Sequence, residues 1–402
     1  NILNGKYCFL GVNNIDFKNI NWHKDYISSF EWKPGKYYKN YKQVDLSNDS
    51  DVKIPRELSR SHHILQVAIA YKLTKDVRYS KFVINQISDW IYNNPLMYSI
   101  NWGCSMDVSI RAINWMWALS LISESHKKND DIELNKIITS LYEHGWFIYR
   151  NLEGNIFNYN NNHYLSNLSG LIFISELFHI DSEAKKWRDY AIHSLFREIR
   201  LQILPSGMSF ERSFHYHRLV LEIVNWSIIF LFHNNHKVPQ DILTILENMY
   251  DFLYKTIKPD LSVPNIGDQD DGRLLPFGVD KINDFKYLFS MAAIMFDKYK
   301  MKKNGNGYNI YCSQLGEKYN LSYFKNIYSE IENKLKSEYF NDAGFLVIRD
   351  NSNYMIANIK SHGNFIDSKT QSVHTHSDLF SFELFINEKS FIVDPGTFVY
   401  TS

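Results

Sequence analysis

Between Pro55 and about residue 300, apolar residues recur at helical spacing with hardly a break, and after about residue 338 the period drops to two. Leu65, Ala68, Ile69 and Leu73 mark a first helix. A second, around Phe82 to Ile91, stops at Asn93-Asn94-Pro95, and a third runs from about Met106 through Ile110, Ile113 and Trp117. Further helical segments follow near 132–150, 163–179, 183–203, 217–233, 239–257 and 281–299. Leu168 to Phe178 and Leu219 to Phe232 are apolar around most of their circumference, so they belong between other helices. Alternation of amphipathic with nearly all-apolar helices is what a double-layered helical ring produces. A helical solenoid is the competitor, but no repeat of fixed length runs through the chain.

Gly344 to Arg349 and Tyr354 to Lys360 read as paired strands about the polar turn Asp350-Asn351-Ser352-Asn353. Phe382, Leu384 and Ile386 then alternate with their neighbours, and Asn387-Glu388-Lys389 turns the chain into Ser390 to Asp394. The expected organisation is an irregular arm over 1–50, a helical domain over 51–325 and the start of an antiparallel sheet domain over 326–402. Four strands with open edges make a poor independent sheet, so the chain is expected to be a fragment.

Hydrophobic residues make up 45% of the 402 and charged residues 22%, which excludes a disordered chain. Lys plus Arg equals Asp plus Glu at 44 each, so no global field steers nucleic acid or a polyanion here, and a charged substrate needs a local cluster. The 27 Tyr, 27 Phe and 9 Trp suit stacking against sugar rings; an Asn/Lys/Ile/Tyr-rich genome would also inflate them. Cys8, Cys104 and Cys312 offer neither a disulfide framework nor metal spacing and read as buried thiols. No apolar run approaches the roughly 18 residues of a membrane span. No signal peptide is visible in a chain that opens at Asn1.

Four clusters carry chemistry. Asn160-Asn161-Asn162-His163-Tyr164 stands at the entrance of a helix, where capping explains one Asn but not the His and Tyr beside it. Glu211-Arg212-Ser213-Phe214-His215-Tyr216-His217 leads into an apolar helix; Ser213 or Glu211 serves as a cap, yet so many polar groups are costly to bury unpartnered. Pro264 to Arg273 is Asp- and Gly-rich without EF-hand spacing and reads as a rim or structural loop. In His374-Thr375-His376-Ser377-Asp378 the two histidines share a face if the chain is extended, and Asp394 returns one hairpin later as a possible oxygen ligand.

Taken in order, these clusters, with Ile54 to Arg60, Asn101-Trp102, Met106 to Arg111 and Asp394-Pro395-Gly396-Thr397, resemble the heparinase II/III family of polysaccharide lyases, itself related to chondroitin AC and alginate lyases. The resemblance implies an α+β multidomain fold, an (α/α) toroid of helical hairpins followed by an incomplete antiparallel β-sandwich, with the site at their junction. It implies β-elimination beside a uronic acid of an acidic polysaccharide and a location outside the cytoplasm, periplasmic or secreted. Asn162 and His163 would neutralise the uronate carboxylate, Tyr216 would act as acid or base, and His374 as the second base. An unperturbed phenol titrates near ~10, so Tyr216 as base would need cations such as His215, His217 or Arg212 beside it. His376 and Asp394 match ligands of a structural divalent metal, zinc, whose third protein ligand is expected beyond Ser402. Asn101, Trp102, Arg111, Glu211 and His217 would line the substrate groove; equally, Arg60 and Arg111 could pair with Glu57 and Asp107 on ordinary helix faces. Two other classes stay open: a toroid glycoside hydrolase with Glu211 and Asp268 or Asp270 as its carboxylate pair, and a non-catalytic acidic-glycan binder.

Overall fold

The structure is a computed structural model of the whole chain. It describes residues 2–13, 15–125, 132–154, 160–260, 262–270, 272–277, 284–296, 335–350, 352–360, 374–387 and 389–397. Cys312 and the ends of the segment expected at 281–299 lie outside them.

The arm opens with a small hairpin, β1 (Cys8–Phe9) against β2 (Val12–Asn13). It is irregular otherwise, and polar anchors hold it to the body: Gln86 Nε2 donates to the Phe17 carbonyl at 2.9 Å and Asn101 Nδ2 to that of Trp22 at 2.7 Å. Ten helices follow among the described residues: α1 (Lys53–Ser59), α2 (His62–Thr74), α3 (Val77–Asn93), α4 (Ser105–Ile122), α5 (Ile132–Arg150), α6 (Asn162–Leu177), α7 (Ser182–Gln202), α8 (Phe214–His233), α9 (Gln240–Thr256) and α10 (Lys286–Phe296). The short α1 has too few residues to show a period and was not foreseen.

The two layers follow from the distribution of apolar residues. α4, α6 and α8 are buried around nearly their whole circumference, and α2 packs on α4, α4 on α6 and α6 on α8. The one-sided helices α3, α5, α7 and α9 cover them from outside. Close approach inside this ring needs small residues: a Cβ on Gly170 of α6 would come within 2.7 Å of Ser109 Cβ on α4. The architecture is the helical toroid expected from the pattern.

The sheet is an antiparallel meander of five strands, not four: β3 (Glu338–Phe340), β4 (Phe345–Arg349), β5 (Tyr354–Asn358), β6 (Phe382–Ile386) and β7 (Lys389–Ile392). Three-residue β3 is too short to alternate visibly. The sheet sits on the toroid through Phe340 and Phe345 against Phe252, and through the Tyr354 hydroxyl, which donates to the Thr256 carbonyl at 2.6 Å. Buried Lys258 pairs with buried Glu383 across the same junction.

Candidate active site

The N-termini of α2, α4, α6 and α8 gather at one end of the ring, the end the sheet covers. Arg60, just before α2, bonds Asp107 in the first turn of α4 through Nε at 2.7 Å and Glu57 through a second nitrogen at 2.7 Å. Cys104, the residue that starts α4, lies 3.8 Å from Nδ1 of His163 at the start of α6. Asn162 Nδ2 lies 2.9 and 3.1 Å from the two oxygens of Glu211, which precedes α8. Aligned helix dipoles favour anions at this end, where Glu57, Asp107 and Glu211 already stand.

Capping sorts the polar clusters. Asn161 is the cap of α6, accepting from His163 N at 3.1 Å, so Asn162 is left for Glu211. Ser213 caps α8, accepting from Tyr216 N at 3.2 Å, and its own hydroxyl donates to the Asp268 carbonyl at 2.6 Å. That bond ties the Asp-rich loop to the helix start. Gly267 permits the fit: it holds φ +74°, and a Cβ there would lie 2.6 Å from the His374 carbonyl and 2.8 Å from Ser213 Cβ.

The loop is therefore more than a rim. Tyr216 Oη donates to Asp270 Oδ2 at 3.0 Å, and Asp270 is also paired with Lys53. Burial opposes the charge on Asp270, but Lys53 and Arg60 hold its carboxyl far below the usual range. Asp268 bridges both histidines of the fourth cluster, to His374 Nδ1 at 3.0 Å and His376 Nε2 at 2.9 Å. Those two bonds outweigh its burial and keep it anionic. The rings of Tyr216 and His374 stack at a centroid separation of 3.5 Å and 15° between planes. The Asp268 carboxylate at Nδ1 orients the His374 ring.

Tyr216 and His374 meet at 5 and 7% exposure, and Asn162, at 0%, starts α6 at the same end of the ring. Solvent reaches the cluster at His163, Glu153 and His376, whose side chains are 36, 27 and 32% exposed. Glu153 Oε1 contacts His163 Nδ1 at 3.1 Å. Burial opposes the charge on His163, but Cys104 and Glu153 raise its pKa well above the usual value. Burial pushes the Cys104 thiol up to about 11, so Glu153 carries that effect at neutral pH.

Other expectations are corrected. Asn101, Trp102, Arg111 and His217 line no groove: all are at most 1% exposed. Arg111 lies over Trp90 at 3.9 Å and donates to His144 at 2.9 Å, and that burial lowers its pKa to about 9; it is Arg60 that takes Asp107. Asn101 pins the arm. His217 accepts from Ser209 N at 3.2 Å and reaches the Met249 carbonyl. Glu211 is equally buried and meets Asn162, so it supports the site from behind. The cations expected beside Tyr216 point elsewhere: Arg212 donates to Ala343 O and Asn358 Oδ1 in the sheet at 2.9 and 2.8 Å, and His215 packs edge-on against Phe285. Cys104 is buried as expected, while Cys8 is exposed.

His376 and Asp394 do not make a closed metal centre by themselves. His376 Nε2 meets Asp268, Asp394 Oδ1 accepts from Gly396 N at 2.7 Å, and among the described residues no third such donor gathers with them. Lys53 and Glu153 were missed, having no signal beyond being polar; Asp268 and Asp270 were expected only as carboxylates of a hydrolase or as part of a rim or structural loop, not as the partners of His374, His376 and Tyr216.

The chain resembles known proteins in sequence and in fold. Residues 6–291 match the family described as heparinase II/III N-terminus, and residues 333–402 match heparinase II/III-like, C-terminal. A heparin-sulfate lyase of Pedobacter heparinus is 24% identical over 383 residues, which is 90% of this chain and 52% of that protein. One of Bacteroides stercoris is 23% identical over 235 residues, 53% of this chain and 34% of that protein. The chain thus spans about half the length, or less, of these curated relatives. Among solved structures, heparinase III superposes with a TM-score of 0.67 at 19% identity, covering 96% of this chain and 57% of that one. A heparan sulfate lyase mutant of Pedobacter heparinus gives 0.58 at 21%, covering 100% and 55%. At these identities the solved structures establish the fold.

Proposed function

Because the chain belongs to the heparinase II/III family, we propose that it is a polysaccharide lyase that cleaves a uronate-containing chain by β-elimination. The observation that carries the reading is the stacked Tyr216–His374 pair, oriented by two carboxylates of one loop, at the end of the ring where Asn162 and His163 begin α6.

The C5 proton of a uronate is barely acidic while the neighbouring carboxylate is charged, since its removal builds a dianion. His163, kept cationic by Glu153, and the amide of Asn162 at the α6 N-terminus offset that charge. The amide is fully buried, so for it to do so the site must open at Asn162 and the sugar carboxylate must share its Nδ2 with Glu211. His374 Nε2 takes the C5 proton; as the C4–O4 bond breaks and the C4=C5 double bond forms, Tyr216 gives its proton to O4. A hydroxyl donating to the Asp270 carboxylate is in its proton-bearing form, which favours Tyr216 as the acid. No step is routed through a metal at His376 and Asp394; if zinc binds there, its role is to brace the loop.

The test is a panel of acidic polysaccharides followed by ultraviolet absorbance. Cleavage with rising absorbance of the unsaturated product is expected; new reducing ends without that rise would overturn the proposal in favour of hydrolysis. The hydrolase reading has little support, because Glu211 is committed to Asn162, Asp268 to His374 and His376, and Asp270 to Lys53. A panel on which glycans bind but remain intact would make the protein a binder.

A further inference from the structure

Cys104 has no part in the elimination itself and Glu153 acts there only through His163, yet the three form a set of their own. Cys104 Sγ lies 3.8 Å from His163 Nδ1, Glu153 Oε1 lies 3.1 Å from the same nitrogen, and the three donor atoms all fall within 4.8 Å of one another. A zinc ion takes sulfur at about 2.3 Å and nitrogen or oxygen at about 2.0–2.2 Å, which sets tetrahedral ligands roughly 3–4 Å apart. The separations from His163 Nδ1, 3.8 Å to Cys104 Sγ and 3.1 Å to Glu153 Oε1, fall in that range, and the third is no more than 4.8 Å.

The surroundings hold the donors in place. Glu153 Oε2 accepts from Met106 N at 2.7 Å and Asn167 Nδ2 at 3.1 Å, while Asn167 Oδ1 accepts from Glu153 N at 2.7 Å. That leaves Oε1 facing the ring, the arrangement in which outer hydrogen bonds fix a ligating carboxylate. Cys104 starts α4 and His163 lies in the first turn of α6, so a thiolate formed between them is favoured by two helix N-termini. Cys104 is buried, but His163 and Glu153 reach solvent, giving an ion a way in and a fourth coordination position facing water.

We propose that Cys104, Glu153 and His163 form a binding site for a thiophilic divalent cation, zinc in the first instance. On binding, the thiol releases its proton to solvent as the metal–sulfur bond forms, and the ion replaces the proton that His163 Nδ1 shares with Glu153. One thiolate, one imidazole and one carboxylate suit zinc or cobalt and disfavour calcium and magnesium, which prefer all-oxygen sites. The site is distinct from His376 and Asp394 and does not depend on the lyase reading.

Cobalt(II) reports sulfur ligation directly. The full chain carrying Cys8→Ser and Cys312→Ser, which keeps Cys104 as its remaining cysteine, is titrated with cobalt and followed in the near ultraviolet. The expected result is a thiolate-to-cobalt charge-transfer band that saturates at one equivalent and is bleached by zinc. Glu153→Gln is expected to weaken the binding by at least about tenfold with the band retained at saturation, and adding Cys104→Ser is expected to abolish it. Absence of the band in the folded Cys104-containing protein, or binding that Glu153→Gln leaves unchanged, would overturn the site. Circular dichroism confirms the fold of each variant, and if Cys104→Ser fails to fold, the Glu153→Gln titration decides.

Discussion

Tyr216→Phe removes one oxygen and leaves almost everything else in place. The ring stays stacked on His374, and Asp270, which loses the hydroxyl at 3.0 Å, keeps Lys53 and the Gly272 N–H at 2.7 Å. The stability lost is that of one hydrogen bond to a charged acceptor, at most about 1.5–3 kcal/mol. The low end applies, because the carboxylate left behind remains partnered. Against a typical folding stability of about 5–15 kcal/mol, the variant stays folded. The kinetic loss is of another size: a positioned acid contributes about 10²–10⁴-fold, or roughly 3–5 kcal/mol of barrier. On whichever glycan of the panel the parent chain cleaves, the initial rate of absorbance increase is expected to fall by that factor, in kcat more than in KM, with the thermal melt little changed. A folded Tyr216→Phe protein that turns over within tenfold of the parent would refute the role of Tyr216 and with it the reading of the stacked pair.

Asn162→Asp faces one carboxylate with another across 2.9 Å in a fully buried place; at an effective dielectric of about 20 the repulsion reaches ~5 kcal/mol, so one acid keeps its proton. A carboxyl whose folded pKa is raised stabilises below its unfolded value and loses that stability as pH rises, so denaturant midpoints of the variant should drop between pH 5 and pH 8 more than those of the parent. Burial lowers the His217 pKa to about 4, and the unfolded chain takes the proton near ~6.5; stability is full above ~6.5 and declines as pH falls towards 4, by ~3 kcal/mol at about 1.4 kcal/mol per pH unit. His217→Gln should flatten that slope in urea titrations, and an unchanged slope would show that His217 is not the group responsible. His163, with its raised pKa, works in the opposite sense: its pairing with Glu153 is fully present below ~6.5 and is lost as pH rises through the higher folded value, so an NMR titration should find the ring still protonated at pH 7. Gly267→Ala adds a Cβ within 2.6 Å of a carbonyl at φ +74°, costing about 1–3 kcal/mol and displacing Asp268 from both histidines; a variant that retains full stability and turnover would show that the loop has room to spare.

Much of the site was legible as four clusters, because the polar residues that begin buried helices are conspicuous against apolar sequence. Asn162, Tyr216 and His374 stood out that way; Tyr216 and His374 do meet, and Asn162 meets Glu211, five residues before Tyr216. Asn101, Trp102, Arg111 and His217 stood out equally and are interior supports, since a sequence marks a polar residue as unusual without saying whether it faces a partner or a cleft. Cys104 and Glu153 were illegible, being 49 residues apart, with no spacing rule to relate them.

By itself the sequence determined the elements and their layering. The 3.6 and 2.0 periods are local, and burial around a whole helix circumference has to mean an inner layer. Only the tertiary structure decided which polar groups share a place. Closing the ring brings the N-termini of α2, α4, α6 and α8 to one end, and a left-handed glycine lets one acidic loop reach three of the side chains there. Such pairings rest on distances of about 3 Å between residues up to two hundred apart in the chain, and local propensity carries no information at that range.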